Sequence, residues 1–168
     1  VRVEIVALVV SPIHAFEGRP ADGPRADPGP VSRDEVAVRA GLGLVGDRYF
    51  NRPAHRQAAL TVFDASVLPA GADPVAARRN IVLRGFRVDT LARTREVPEG
   101  AVFSLDSGAG AVRFQAHRPA HPCAWMDVTL GSGAFRALRG RGGVRCVPLD
   151  DGVLRVGPAD LEVRTSPR

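Results

Sequence analysis

Seven consecutive residues, His117-Arg118-Pro119-Ala120-His121-Pro122-Cys123, bring two imidazoles, a guanidinium and a thiol into one short segment. A zinc site would draw on the imidazoles and the thiolate, but structural zinc wants four ligands with paired short spacings, and no fourth ligand is evident even if His55 is recruited. A nucleophilic Cys-His pair is the next reading, because His121 and Cys123, two apart, face the same way on an extended segment. Papain-like hydrolases carry cysteine at a helix start and histidine far away, and neither signature nor an orienting third residue is present. Thiolate chemistry of another kind fits better. A thiolate is a soft metal ligand and a good sulfur nucleophile, and the basic neighbours Arg118, His121 and His117 favour it. The bland alternative is an inert loop thiol. Cys146, the other cysteine, lies in the alternating stretch Val144 to Val147 and reads as a small buried hydrophobe.

Anion chemistry is the second theme. All 23 basic residues are arginine against 18 acidic ones, giving a net charge of +5. The arginines are scattered, with no long basic arm, so nucleic acid is an unlikely partner. Small phosphorylated ligands suit a few bidentate guanidiniums better. The candidates are Arg48, Arg56 and Arg79, with Asp47, Gln57 and Asn80 beside them as amide and carboxylate groups that could hold an arginine or read a polar heterocycle. Simple turn and capping chemistry is the competing reading for Asp47-Arg48 and Arg78-Arg79-Asn80. Gly41-Leu42-Gly43-Leu44-Val45-Gly46 formally matches a dinucleotide-binding loop, but Asp47 to Pro53 lacks helical spacing and no second βαβ unit follows, so it reads as a glycine-rich turn.

The elements that must position these groups are mostly strands. A chain of 168 residues that is 45% hydrophobic and 24% charged predicts one folded domain over residues 1–168. Strands are predicted over Val3–Val10, around Val36 and Val38, and over Ala58–Phe63, Ile81–Arg84, Ala101–Leu105, Val112–His117, Val144–Leu149, Val153–Val156 and Leu161–Arg164. Asp73-Pro74 predicts a helical turn over Val75 to Arg79, Gly133 to Arg139 a helix, and Asp151-Gly152 a hairpin. Ser11 to Pro30, with five prolines, predicts a long surface loop, mobile over about 17–30. The spacing predicts a mainly β, closed or nearly closed barrel with a few short helices. No apolar run is long enough to span a bilayer, so no membrane partner is expected. The opening segment reads as a strand and not a leader, which predicts a cytoplasmic protein.

In order and spacing the pieces resemble a MOSC domain, the module at the C-terminus of molybdenum-cofactor sulfurases and in free-standing bacterial proteins. The resemblance rests on Val10-Ser11-Pro12-Ile13-His14, Gly43 to Arg48, Arg56-Gln57, Arg78-Arg79-Asn80-Ile81-Val82, His121-Pro122-Cys123, and Arg141-Gly142-Gly143-Val144 through Asp151-Gly152 to Gly157. It spans nearly the whole chain. One departure is Gly157-Pro158, where the family commonly closes with Gly-Asp; this alters a turn more than a site.

The resemblance implies a β-rich fold similar to the pyruvate-kinase barrel, with Cys123 matching the family cysteine that carries persulfide sulfur or ligates molybdenum. Related amidoxime reducing components reduce N-hydroxylated compounds at a molybdenum held by a pyranopterin dithiolene. The implied cofactor is the molybdenum cofactor (molybdopterin). Cys123 would be its metal ligand, His121 would assist at the catalytic centre, and Asp47, Arg48, Arg56, Gln57, Arg79 and Asn80 would bind the pterin and phosphate. A small-molecule substrate and an external electron donor follow, since no flavin or iron–sulfur motif is present. The alternatives are a persulfide carrier loaded by a pyridoxal-phosphate-dependent cysteine desulfurase, and a non-enzymatic polyanion-binding module.

Overall fold

The computed structural model describes residues 1–164. Strands β1 (Arg2–Val9), β2 (Ser32–Arg33), β3 (Glu35–Arg39), β4 (Gly43–Leu44), β5 (Leu60–Asp64), β6 (Ile81–Arg84), β7 (Val102–Asp106), β8 (Val112–Pro119), β9 (Val144–Pro148), β10 (Gly152–Arg155) and β11 (Gly157–Arg164) are joined by five 3-10 turns and two short helices, α1 (Trp125–Leu130) and α2 (Ala134–Ala137). The principal sheet runs β11-β7-β8-β9-β5-β6-β1-β2, and β1 also pairs with β11, so all of these strands except β2 close into a ring. Pairing round this barrel is antiparallel save for β5 and β6. A smaller sheet, β10-β3-β4, lies beside it.

Alternation along the strands decides what faces inward. Leu60 and Val62 of β5, Ile81 and Leu83 of β6, Phe103 and Leu105 of β7, Phe114 and Ala116 of β8, and Val144 and Cys146 of β9 form the barrel interior. The residues between them face outward. Phe63 and Val82 pack there with Ala7, Val9, Met126, Ala134 and Leu138 in a second apolar cluster that seats α1 and α2 on the outer wall. Every residue of β5 is consequently buried. The functional candidates lie on this covered outer face.

The expected barrel is present, with element boundaries displaced by one to a few residues. The helical turn expected after Asp73-Pro74 is present as a 3-10 turn over Pro74–Ala77, and Asp73 caps it as expected by accepting from the Val75 N–H at 2.9 Å. Two expectations differ. The pair Asp151-Gly152 does not close a hairpin. Instead β10 leaves the barrel to pair with β3, and the Asp151 carboxylate accepts from the Ala40 N–H at 2.8 Å. The glycine-rich turn contributes strand β4, with Gly43 at φ 114 against Ala59.

The Ser11 to Pro30 segment contains a 3-10 turn at Pro20–Asp22 and returns to the barrel at its end. Asp27 receives both Arg78 Nη atoms, at 2.7 and 2.9 Å, and the Ser11 hydroxyl at 2.5 Å. Arg78 has a left-handed backbone, φ 51, unusual for a long side chain, and this bidentate pair holds its side chain across the loop. No helix among the described residues is long and apolar enough to cross a membrane.

Candidate functional site

A buried carboxylate and amide organise the site from below. Asp47 sits at the end of the glycine-rich turn, its carboxylate accepting from the Ser11 N–H at 3.3 Å, the Tyr49 N–H at 3.2 Å and the Asn80 Nδ2 at 3.1 Å. Asn80 Nδ2 also donates to the Val9 carbonyl at 3.1 Å, while its Oδ1 accepts from the Thr61 N–H at 2.9 Å. Its carboxamide is thus engaged wholly within the protein. Burial pushes the Asp47 carboxyl above the usual carboxylate range, against the pull of Arg48 and the three donors. This node joins β1, β5, β6 and the turn that carries Arg48.

The thiol arrives from the opposite side. After β8, Ala120 donates to the Gly143 carbonyl at 2.8 Å. Gly142 packs so closely on the Ala120 carbonyl and Pro122 that a Cβ there would clash, and Gly143, at φ 96, abuts the Val62 carbonyl in the same way. The loop 120–124 is pinned by these two glycines, and α1 follows as the Met126 N–H bonds back to the Cys123 carbonyl at 2.9 Å. Trp125, at the start of α1, stacks on Phe16 with centroids 5.2 Å apart, tying the loop after β1 to the Cys123 loop.

Between these two halves lies a cavity of about 200 Å³, lined by His14, Arg48, Tyr49, Arg79, His121, Cys123 and Arg145 among others. Cys123 and His121 are exposed at it. Of the residues expected from sequence, Cys123, His121, Arg48 and Arg79 come together here, with Asp47 and Asn80 beneath. Arg56 and Gln57 do not line it. They face separate depressions, which Arg56 shares with Leu42 and Asn51 on one side and with Gln57, Arg93 and Arg118 on the other.

The cavity is strongly cationic. Arg48 reaches the Asp47 carboxylate only at 3.8 Å and lies over the Tyr49 ring, 4.6 Å from its centroid. Among the described residues no carboxylate pairs with Arg79 or Arg145, and the Nε atoms of Arg48 and Arg79 and Nδ1 of His14 are buried without a hydrogen-bond partner. Arg79 makes one bond, from Nη2 to the His121 carbonyl at 3.3 Å. Burial, then the facing Arg145, draws the Arg79 guanidinium down to about 10, while Cys123 and Tyr49 oppose this. Arg145 is lowered by burial and then by Arg118. Burial, with Arg48 adding to it, also lowers the His14 imidazole, so it faces the cavity neutral at neutral pH. Arg79 and Arg145, which have no carboxylate partner, beside an Arg48 that meets Asp47 only at 3.8 Å, are arranged to receive an anion.

His14, Tyr49 and Arg145 were not expected at the site. Arg145 had a signal: it alternates with buried Val144 and Cys146 on β9, which places it on the outer barrel face opposite Thr61, another cavity residue. Tyr49 is set by the Asp47 node, a long-range arrangement with no local signature.

The cysteines divide by environment. Burial pushes the Cys146 thiol far above the thiol range inside the barrel, whereas Cys123 is exposed. Iodoacetamide under native conditions is therefore expected to modify Cys123 alone, with Cys146 reacting only after denaturation; mass spectrometry of peptides from both states checks this. Among the described residues no group of three or more His, Cys, Asp or Glu side chains is placed to hold a metal. A metal here would take one protein sulfur and draw its other ligands from elsewhere.

No family model matches the chain, and no curated protein sequence matches it. Solved structures do. The YuaD protein from Bacillus subtilis is 16% identical over 97% of this chain and 96% of its own, with a TM-score of 0.66. YiiM from Geobacillus stearothermophilus is 18% identical over 97% of this chain and 75% of its own, TM-score 0.59. A hypothetical protein is 16% identical over 99% and 71%, TM-score 0.57. At these identities the likeness is one of fold: the chain shares the barrel architecture of YuaD and YiiM along nearly its whole length.

Proposed function

We propose that this is a MOSC-type protein whose Cys123 cavity binds the molybdenum cofactor, Cys123 serving as metal ligand in the reduction of N-hydroxylated compounds or a related oxo-transfer. The observation that carries the reading is the convergence of one exposed thiol with Arg48, Arg79 and Arg145, all short of counter-charge, in a single cavity. The fold it shares with YuaD and YiiM, which are MOSC-type proteins, supports it. The fit is specific to the anionic end of such a group. A cavity of about 200 Å³ is smaller than the roughly 300 Å³ at which pockets begin to enclose drug-sized ligands. It would therefore hold a phosphate between its arginines and offer Cys123 to the metal.

The chain's own residues then have distinct work. Arg79 and Arg145 neutralise the phosphate, and Arg48, braced by Asp47 and Tyr49, closes the other side. Cys123 supplies one soft sulfur at the rim. His14 and His121 both line the cavity with Cys123, placed to exchange a proton with a bound substrate. The cofactor, when bound, supplies the two-electron chemistry. Electrons come from an external donor and the substrate is a small molecule at the open rim.

The exposure of the Cys123 thiol favours one second reading, a persulfide carrier loaded by a cysteine desulfurase. Expression in a cofactor-producing host under anaerobic conditions separates the two. The cofactor reading expects near-stoichiometric molybdenum and pterin in the purified chain. Absence of both, with a persulfide on Cys123 by mass spectrometry, would replace it with sulfur transfer.

A further inference from the structure

Arg56 and Gln57 belong to a different concavity. Strand β8 carries His117 and Arg118 at its end, just before Pro119, and the Arg93 N–H bonds to the His117 carbonyl at 2.7 Å, laying the segment after Leu91 along that end. The 3-10 turn Pro53–His55 brings Arg56 and Gln57 to the same place. Depressions of about 320 and 310 Å³ share Gln57, Arg93 and His117 and so form one groove. Three guanidiniums from three separate segments converge on it, and none is ion-paired among the described residues; Glu99, at the far end, is its carboxylate. The groove abuts the Cys123 cavity. Arg118 acts electrostatically on Arg145, and both act on His55, whose ring packs 4.3 Å from Tyr49 and whose Nδ1 is buried and unpartnered.

We propose that the groove of Arg56, Gln57, Arg93, His117 and Arg118 is a second anion subsite that takes the phosphate of a small-molecule ligand. Convergence on a concave surface favours a compact phosphate over a nucleic-acid backbone, which is met by charges spread along a face. Guanidiniums give bidentate donors, while the Gln57 amide adds a neutral one. A phosphorylated molecule held here would reach past His55 and Tyr49 toward Cys123, so the groove would select ligands by a remote phosphate. The phosphate subsite itself uses none of the residues that line the Cys123 cavity, so it stands without the molybdenum reading.

The test is calorimetric titration of the full chain with pyrophosphate, paired with fluorescence of Trp125, the single tryptophan, which lines the Cys123 cavity. Two binding events are expected. In R93Q/R118Q, both exposed positions, the groove event should weaken at least tenfold while the Trp125 response persists; R56Q should weaken it severalfold. Molybdenum and pterin content of R93Q/R118Q should match the native chain, so failure of the cofactor reading is seen separately. A native-like titration in R93Q/R118Q overturns the subsite. So does loss of single-stranded oligonucleotide binding alone, which would mark a polyanion surface.

Discussion

Replacing Asn80 with alanine is expected to cost about 4 kcal/mol of folding stability, the largest effect of any single polar substitution around the cavity. Two buried groups, the Thr61 N–H and the Val9 carbonyl, lose the Asn80 side chain at once, and Asp47 Oδ1 is left with the Ser11 N–H alone. An unsatisfied buried group costs roughly 1 to 3 kcal/mol, so two such groups and a weakened buried carboxylate together give a loss of about this size. Solvent cannot offset the loss, because Asn80 is only 3% exposed. The effect reaches the site as well. Asp47, which orients Tyr49 and braces Arg48, loses its one side-chain donor. Urea denaturation measures the loss; a change below about 1 kcal/mol would show that the node is dispensable.

Replacing Arg79 with methionine is expected to act in the opposite direction on the ligand-free chain. The guanidinium is half-buried beside Arg145 and Arg48 with one hydrogen bond and a buried, unpartnered Nε, and its lowered value of about 10 still leaves it charged at neutral pH. Exchanging charged side chains in such places for apolar ones of similar volume is often stabilising, here by about 1 kcal/mol. The cavity should lose its anion in exchange. A ligand at a hundred times its Kd stabilises a native chain by about 2.7 kcal/mol, and cavity-bound anion should contribute little of this in Arg79→Met. Thermal and urea unfolding with and without pyrophosphate, on a background of R93Q/R118Q, read both effects. If Arg79→Met is strongly destabilised and keeps its anion response, Arg79 instead serves to pin the 120–124 loop through the His121 carbonyl.

Period-two alternation made the barrel legible because each strand with one face inward writes burial directly into sequence, as Val144, Cys146 and Pro148 do on β9. Helix α1 left no such trace. Its six residues carry β-branched Val128 and Thr129, the preceding Ala124 offers no side-chain cap, and Pro122 just before it reads as loop. What holds it is the packing of Trp125 on Phe16 and of Met126 in the outer apolar cluster, a contact over more than a hundred residues. The Asp151-Gly152 pair opens β10 instead of closing a hairpin, since pairing of β10 with β3 is decided by long-range geometry. The site divides in the same way. Cys123, His121, Arg48 and Arg79 were recoverable from motifs, whereas His14, Tyr49 and Arg145 enter because Asp47, Asn80 and the barrel wall bring distant segments together. The carboxamide of Asn80 and the groove position of Arg56 and Gln57 show that a motif places a residue near a site without saying which way it faces.

Cys123 and the arginines around it are proposed to hold a molybdenum cofactor. The most direct measurement is molybdenum and pterin content of the native chain and Cys123→Ala, expressed side by side in a cofactor-producing host and washed at high salt. Near-stoichiometric molybdenum and pterin are expected in the native chain and should survive the wash, and both should be lost in Cys123→Ala with folding intact. Equal content in the two proteins, or none in either, would contradict the proposal.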